Sequence, residues 1–511
     1  MEYGKDLKFS STTIEGLVTL DLPVHGDNRG WFKENWQRAK MTTAGGSNVR
    51  VPDFKIVQNN ISFNAQRGVT RGIHAEPWDK FISVGSGAVF GAWVDLRAGS
   101  PTFGEVFTMV IDPSKAIFVP RGVGNSFQAI EDDTVYTYLV NDHWSQDAQS
   151  LYTFVNLADP TLKIDWPIPL DQAQLSEKDK SHPMLKDVEP MLPKKTLVIG
   201  ANGQLGRAIK TEVEKNHTFP ATFVYSDVVA DESRSIIELD ACDEDALRSL
   251  GLEGYSTIIN AAAYTAVDSA ETTEGRKLSW KLNANMPATL AKIANEFDLT
   301  LVHISSDYVF DGELCNHPAG VPCIADCQHL EDEELSPLGV YGQTKAAGDI
   351  AVQVARKHYI MRTSWVVGDG NNFVKTMYSL AKKDVKPNVI SDQYGRLTFT
   401  STLARGIAYV LENQPEYGVY NLSNDGNSSS WCSIARRTFE LYGMTESEAK
   451  EAVSGISTQD YAAPIIEQGK PFSPRPTNSA LNLSKIMAIG FVPHSWEVEL
   501  QKYVEVLKDE V

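Results

Sequence analysis

Two separated groups of residues in this 511-residue chain have the types and spacing to do chemistry. In the second half, Tyr341-Gly-Gln-Thr-Lys345 sets a phenol and an ammonium at positions i and i+4. On a helix such a pair shares a face. A Lys beside a phenol favours phenolate and lowers its pKa from the ordinary value of ~10. The Tyr can then pass a proton to a carbonyl oxygen while hydride arrives at the carbon. Ser305-Ser306 closes an apolar run upstream, and the Ser306 hydroxyl would hydrogen-bond the same oxygen. A hydride source is suggested by LVIGANGQLGRAI, where Gly200, Gly203 and Gly206 stand between a strand-like run and a helical one. Such glycines allow a tight turn, backbone approach to a pyrophosphate and close helix–strand packing. Asp227 follows the next apolar run. It either binds the adenosine ribose, favouring NADH over NADPH by repelling a 2′-phosphate, or simply ends a strand.

The first half offers a less specific group. GVTRGIHAEPWDKF holds Arg71, His74 and Lys80 close together, just before a strand-like run. From residue types alone, a catalytic imidazole, a structural histidine and an exposed basic edge all stay open.

The elements that must carry these groups differ between the halves. Residues 1–180 contain short Val-, Phe-, Ile- and Tyr-rich runs such as FKIVQNNISF, FTMVIDP and TVYTYLV, separated by turn residues. That pattern predicts an all-β sandwich, barrel or jelly roll. The Pro-rich, charged stretch at 181–194 reads as a linker. From 195 to 511, buried-strand runs such as KTLVIG, STIINAAA and LTLVHISS alternate with helical stretches such as ANMPATLAKIANEF. Alternation of this kind predicts a parallel α/β sheet.

Composition narrows the classes. Hydrophobic residues make up 42% and charged residues 22%, as in globular proteins. The net charge of −19, with no basic tract, argues against nucleic-acid and anionic-membrane partners. No run approaches the ~20 apolar residues of a membrane span, and the N-terminus lacks signal-peptide order. A cytoplasmic protein with reduced thiols is expected. Cys315, Cys323 and Cys327, with His317 and His329, match no common zinc spacing.

The strings GANGQLG, NAAAYTAVDSAE, ISSDYVFDG, YGQTK, RTSWVVG, NFVKTM, DQYG and RPTNS resemble, in order over about 195–505, those of the dTDP-4-dehydrorhamnose reductase family. The resemblance implies a Rossmann-type extended short-chain dehydrogenase fold that reduces a C4 ketone with NADPH or NADH. It implies a catalytic set of Ser306, Tyr341 and Lys345. The implied cofactor cradle is Gly200, Asn202, Gly203, Gln204, Leu205, Gly206, Asp227, Asp240, Ala261, Ala262, Ala263 and Tyr264, with Tyr341 and Lys345. Substrate contacts implied are Asp307, Tyr308, Trp365, Arg475 and Asn478. A divalent ion such as Mg2+ occurs in part of that family, and no ligands for it can be placed here. The segment Glu313–Leu335 is longer than the family's and holds three of the five cysteines.

In the first half, GDNRGWFKENW, VQNNIS, RGIHAEP, VDLRAGSPTFG, FVPRGVGNSF, IDWP and LSEKD resemble the dTDP-4-dehydrorhamnose 3,5-epimerases over about 10–180. That resemblance implies a cupin-like jelly roll, usually dimeric, with no metal and no cofactor. His74 would be the base, Asp179 its orienting carboxylate, Lys80 the cation near the enolate oxygen and Tyr138 the opposing acid. Arg29, Phe32, Glu34, Gln58, Asn60 and Arg71 match nucleotide-contacting positions, and Trp144 matches an aromatic that stacks on the base. Three departures stand out: a shorter His74–Lys80 loop, Asn125 where the family commonly has His, and Leu139 where a Lys is usual.

Together the halves imply a bifunctional homodimer acting on a small nucleotide sugar. It would epimerise dTDP-4-dehydro-6-deoxy-D-glucose at C3 and C5, then reduce C4 to give dTDP-L-rhamnose. The alternatives are a reductase with a non-catalytic sugar-nucleotide-binding module and a non-catalytic regulatory protein.

Overall fold

The computed structural model describes residues 3–42, 49–52, 55–145, 147–215, 222–313 and 327–509. The chain divides into two units, Met1–Pro193 and Lys194–Val511.

In the first unit, alternating apolar residues build two antiparallel sheets. The larger runs Lys8–Ser11, Val18–Asp21, Lys115–Val119, Lys80–Ser86, Thr134–Val140, Gln58–Asn64. The smaller runs Thr153–Phe154, Thr70–Ala75, Val123–Ala129, Val89–Asp95, Val106–Ile111. Val84, Ile117 and Tyr136 of the first sheet meet Trp93 and Phe127 of the second in a shared core. This is the expected jelly-roll layering, in which each strand sends alternate residues inward. Gly72, at φ +127°, marks where Thr70–Ala75 shifts register against Val123–Ala129. A Cβ there would lie 2.3 Å from the Ser126 Cβ, so only glycine fits. The shift sets which way His74, two residues on, is presented.

The expected linker at 181–194 is instead part of this unit almost to its end. Met191 is buried and exchanges backbone hydrogen bonds with Leu96 (2.8 Å) and Ala98 (2.9 Å). Leu185, Val188 and Met191 pack with Ile73, Val94 and Leu157. Proline and charge frequency suggested a free tether, but the spaced apolar side chains outweigh them once a sheet edge offers a surface to bury them.

The second unit is built on a seven-stranded sheet. Its order is Ile236–Glu238, Thr222–Asp227, Lys195–Ile199, Tyr255–Asn260, Thr300–Ser306, His358–Thr363, Gly418–Asn421, and every pairing is parallel. Val198, Ile259 and Val302 face helices Gln204–Lys215 and Thr400–Asn413. Leu197, Ile258 and Leu301 face Met286–Glu296 and Val340–Val352. Covering both faces is why these strands read as continuous apolar runs. The strand order reverses beside Lys195–Ile199, so a crevice forms at the carboxyl ends of that strand and Tyr255–Asn260, the place where such sheets bind ligands. Among the described residues, no helix is long and apolar enough to cross a membrane.

Cys242 and Cys432 are free thiols, as expected. Cys327 is disulfide-bonded, contrary to the expectation of reduced thiols throughout. Cys315, His317 and Cys323 lie outside the described residues.

Candidate active sites

In the first unit, His74 is the next-to-last residue of strand Thr70–Ala75, paired with Asn125 on one side and Phe154 on the other. Its Nε2 lies 2.8 Å from Asp179 Oδ1. Asp179 is presented by a short helical turn, Glu177–Lys180, whose N-cap Ser176 accepts the Asp179 N–H at 3.1 Å. Burial pushes the Asp179 carboxyl up. The His74 hydrogen bond and charge, the Ser176 bond and the charge of His182 outweigh burial and hold it below the usual carboxylate value. The pair is an imidazole oriented by an ionised carboxylate, which suits proton abstraction next to a ketone.

Lys80 is buried, and its Nζ lies 2.6 Å from Glu76 Oε1 and 5.2 Å from the Tyr138 ring centroid. Strand register explains the approach. Lys80 pairs with Val140, so Tyr138 is its diagonal neighbour on the same face. The shorter His74–Lys80 loop therefore still delivers the ammonium to the phenol. Burial, reinforced by the charge of Glu76 and opposed by that of Arg71, pushes Tyr138 up to about 12. The phenol stays protonated, as a proton donor must. Gln58 and Asn60 share the inward face of Gln58–Asn64, with Asn60 directly opposite Tyr138. Gln58 Nε2 donates to Asn60 Oδ1 at 2.8 Å, and the Trp144 N–H reaches Gln58 Oε1 at 3.0 Å. Asn125, the departure from the family's His, accepts the Tyr136 hydroxyl at 3.2 Å.

Arg29, Phe32 and Glu34 are not joined to this group. Arg29 pairs with Asp27 at 2.5 Å and Glu34 with Lys40 at 2.9 Å, on and beside the exposed hairpin Val24–Asp27/Gly30–Lys33. Sequence reasoning missed Glu76, Tyr136 and His182. Glu76 holds Lys80 and also accepts the Trp78 indole N–H at 2.6 Å. A carboxylate four residues before a lysine was the available signal for Glu76, but in strand-and-loop context that spacing carries no geometric meaning.

In the second unit, the glycine loop turns from Lys195–Ile199 into Gln204–Lys215. A Cβ on Gly206 would lie 2.4 Å from the Gly200 carbonyl oxygen and 2.5 Å from the Ala201 Cα. Both are backbone atoms that cannot yield, so the helix can approach the strand only with glycine here. Gly206→Ala is expected to lower stability by about 1–3 kcal/mol and to weaken NADH and NADPH binding, checked by thermal melting and fluorescence titration. An unchanged melting temperature would contradict this packing role.

Asp227 caps the loop, its carboxylate accepting the N–H of Asn202 at 2.9 Å and of Val228 at 2.8 Å. Asp240 accepts the Cys242 N–H at 2.9 Å and lies 3.5 Å from Lys281 Nζ. The Ala261–Tyr264 loop leaves the adjacent strand and is fixed by buried Asn283, which accepts the Tyr264 N–H at 2.9 Å and donates to its carbonyl at 3.0 Å. Asn283 is a further residue the motif reading missed. The side chains of two residues of the expected cofactor cradle turn away from the loop, which leaves only their backbone N–H groups for a pyrophosphate. Leu205 is buried in the core below the sheet, and Gln204 turns toward Gly368, Gly370 and the Asn371 carbonyl. Consecutive positions of the helix Gln204–Lys215 are about 100° apart, so Leu205 faces the core while Gln204 faces Gly368 and Gly370. The glycine cradle and the Asp227 cap fit a dinucleotide, which would supply hydride when bound there.

Tyr341 and Lys345 share one face of Val340–Val352. Lys345 Nζ donates to the Ile304 carbonyl at 2.6 Å, and Ser306 Oγ donates to Asp307 Oδ1 at 2.9 Å. The expected lowering of the Tyr341 phenol does not occur. Burial pushes it up to about 12, with the charge of Asp307 adding and a Ser306 hydrogen bond opposing. Burial also lowers Lys345 to about 8, against the pull of Asp349. Asp307 rises to about 6 through burial, opposed by hydrogen bonds from Ser479 and Ser306. Desolvation thus dominates all three groups.

Tyr308 meets Tyr341 edge-on, with ring centroids 5.4 Å apart. Arg475 bonds Asp268 at 2.8 Å and lies over the Phe472 ring at 4.6 Å. Trp365, at φ +45°, stacks on Trp431 at 3.7 Å rather than on Tyr341. Asn478 is buried. Its amide donates to the Cys327 carbonyl at 2.5 Å and its oxygen accepts the Ala480 N–H at 3.0 Å. Its contacts tie the end of the long Glu313–Leu335 segment, so a nucleotide-lining role does not follow from them.

Comparison with known proteins agrees with this division. The family described as "RmlD substrate binding domain" matches residues 194–508, and the family described as "dTDP-4-dehydrorhamnose 3,5-epimerase" matches residues 11–187. A protein from Streptococcus pyogenes serotype M6 described as "Protein RmlC homolog" is 55% identical over 182 residues, 35% of this chain and 90% of that protein. The dTDP-4-dehydrorhamnose reductase of Mycolicibacterium smegmatis is 33% identical over 319 residues, 61% of this chain and 86% of that protein. The crystal structure of a dTDP-4-dehydrorhamnose reductase from Bacillus anthracis, in complex with NADP, is 28% identical with a TM-score of 0.50, covering 61% of this chain and 99% of that one. The chain belongs to both families, the dTDP-4-dehydrorhamnose 3,5-epimerases through its first unit and the RmlD substrate-binding-domain proteins through its second.

Proposed function

We propose that this chain is a bifunctional enzyme of dTDP-L-rhamnose formation. The observation that carries the reading is that both families stand in one chain, each with a proton-handling site suited to a 4-ketosugar. The first unit epimerises dTDP-4-dehydro-6-deoxy-D-glucose at C3 and C5. His74 removes the proton α to the ketone, Lys80 stabilises the enolate oxygen, and Tyr138 returns a proton from the other face. The second unit reduces C4 of the epimerised ketone. Tyr341 and Ser306 hold the ketone oxygen, and Tyr341 gives the proton that completes the alcohol. A nicotinamide cofactor held by the glycine loop, NADPH or NADH, would supply the hydride for C4. Asp227 at its strand end favours NADH, since a carboxylate repels a 2′-phosphate.

Two further readings accompany this one. We place the enzyme in the cytoplasm and as a homodimer. Edge strand Gln58–Asn64 exposes 69% of Ile61 and 59% of Phe63, an apolar edge that a second copy would cover.

The test is product analysis by NMR in D2O with dTDP-4-dehydro-6-deoxy-D-glucose, with and without nicotinamide cofactor. Deuterium at C3 and C5 is expected without cofactor, and dTDP-L-rhamnose with it. No deuterium would reduce the first unit to a binding module. No cofactor oxidation with the epimerised ketosugar would sink the reductase reading.

A further inference from the structure

His182 lies beside the catalytic dyad, and no other part of the mechanism uses it. It is 8% exposed, and neither ring nitrogen has a hydrogen-bond partner among the described residues. An unpartnered buried imidazole N–H is costly, on the order of 1–3 kcal/mol, so the group calls for a ligand. Its ring meets His74 edge-on at 5.3 Å and stacks on Phe154 at 4.6 Å. The backbone around it is clamped. Asn156 Nδ2 donates to the carbonyls of Lys180 and His182, both at 3.0 Å, and the Asn156 N–H reaches the Pro183 carbonyl at 2.8 Å. Asp179 is fixed by its Ser176 cap. One ligand atom from each of His74, Asp179 and His182 lies within 4.8 Å of the others.

We propose that His74, Asp179 and His182 form a binding site for a divalent transition-metal cation of the zinc class, and that occupancy switches off the epimerase half. Two imidazoles and a carboxylate are a common zinc ligand set, with water completing four-coordination. Metal–ligand bonds of ~2.0–2.1 Å in tetrahedral geometry separate ligand atoms by roughly 3.3 Å. His74 Nε2 and Asp179, 2.8 Å apart, need to part by about 0.5 Å, and donor separations of up to 4.8 Å to close by as much as about 1.5 Å. An ion on Nε2 displaces the proton that Nε2 donates to the ionised Asp179; the neutral imidazole then carries its proton on Nδ1, so the lone pair that would accept the substrate proton is gone. Lys178, one residue before Asp179, holds its ammonium over the Phe154 ring at 5.6 Å. Because the ligands belong to the first unit alone, the reductase half has no share in the site.

The activity readout rests on the epimerase reading, whereas direct metal binding does not. The full chain, stripped with chelator, is titrated with Co2+ and followed by visible absorption. It is titrated separately with Zn2+ while deuterium wash-in at C3 and C5 and cofactor oxidation on the epimerised ketosugar are measured. A four-coordinate Co2+ spectrum is expected, with Zn2+ suppressing wash-in about tenfold or more, chelator restoring it, and cofactor oxidation unaffected. His182→Phe keeps the stacking on Phe154 and removes both nitrogens. Read against its own metal-free rate, its wash-in should need at least about tenfold more Zn2+. Absence of the Co2+ spectrum from the unsubstituted chain overturns the proposal, as does a His182→Phe variant equally sensitive to Zn2+. Absence of wash-in from the metal-free chain instead overturns the epimerase reading and leaves the Co2+ result standing.

Discussion

Tyr341→Phe is expected to slow C4 reduction by on the order of 10²–10⁴-fold, while wash-in of deuterium by the first unit continues unchanged. The substitution removes one hydroxyl and leaves the ring, its edge contact with Tyr308 and the helix Val340–Val352 in place. The loss should therefore fall on kcat, because the phenol acts most strongly as negative charge develops on the ketone oxygen. Burial holds the phenol at about 12 and Lys345 at about 8. The donor is thus protonated across the working range; Asp307 ionises near 6, below neutrality, and the group that changes charge above neutrality is Lys345. Its ammonium is present below about 8 and lost above it. Reduction should accordingly be level at neutral pH and fall as pH rises through that value. A cation there is needed to stabilise the phenolate left after proton donation. The check is stopped-flow cofactor oxidation across pH for the unsubstituted chain and Tyr341→Phe. A variant retaining more than about a tenth of the rate would remove Tyr341 from the proton-donating role.

His74→Asn is the second large effect. It should slow deuterium wash-in at C3 and C5 by on the order of 10²–10⁴-fold and leave reduction of the epimerised ketosugar intact. Asparagine keeps a polar group beside Asp179 but has no basic nitrogen, so proton abstraction fails while the fold stands. His74 is only partly buried, and its strand pairs through backbone groups on both sides, so the mutation should cost little stability. Loss of the His74 hydrogen bond and charge lets burial push the Asp179 carboxyl up, while the Ser176 cap keeps its helical turn in place from outside the dyad. Wash-in persisting near its original rate would move the base elsewhere. Selective loss of one position, C3 or C5, would show that His74 serves only that centre.

The reactive groups differ in how far sequence revealed them. Gly200, Gly206, Tyr341 and Lys345 are legible because their roles depend on local spacing: a turn between strand and helix, and one helical face. The strand runs are legible for the same reason, since covering both faces of a parallel sheet leaves a continuous apolar signature. Glu76, Asn283 and His182 are illegible, because each matters through a partner or site brought near by folding. Asn478 shows the converse. It sits in a strongly patterned string, yet its amide holds the backbone of Cys327.

By itself, then, the sequence determined two halves of different architecture, the glycine turn, the Tyr341/Lys345 face and the pairing of two families in one chain. The first three follow from periodicity and short-range spacing, which survive without knowledge of long-range contacts, and the pairing from the resemblance of whole motif strings. Tertiary structure alone decided that 181–193 packs onto the first unit. It decided that Lys80 reaches Tyr138 despite a shortened loop, through the register of two strands. It also reversed the expected direction at Tyr341. A neighbouring ammonium favours phenolate, but removal from water disfavours it more, and only packing sets how much water is removed.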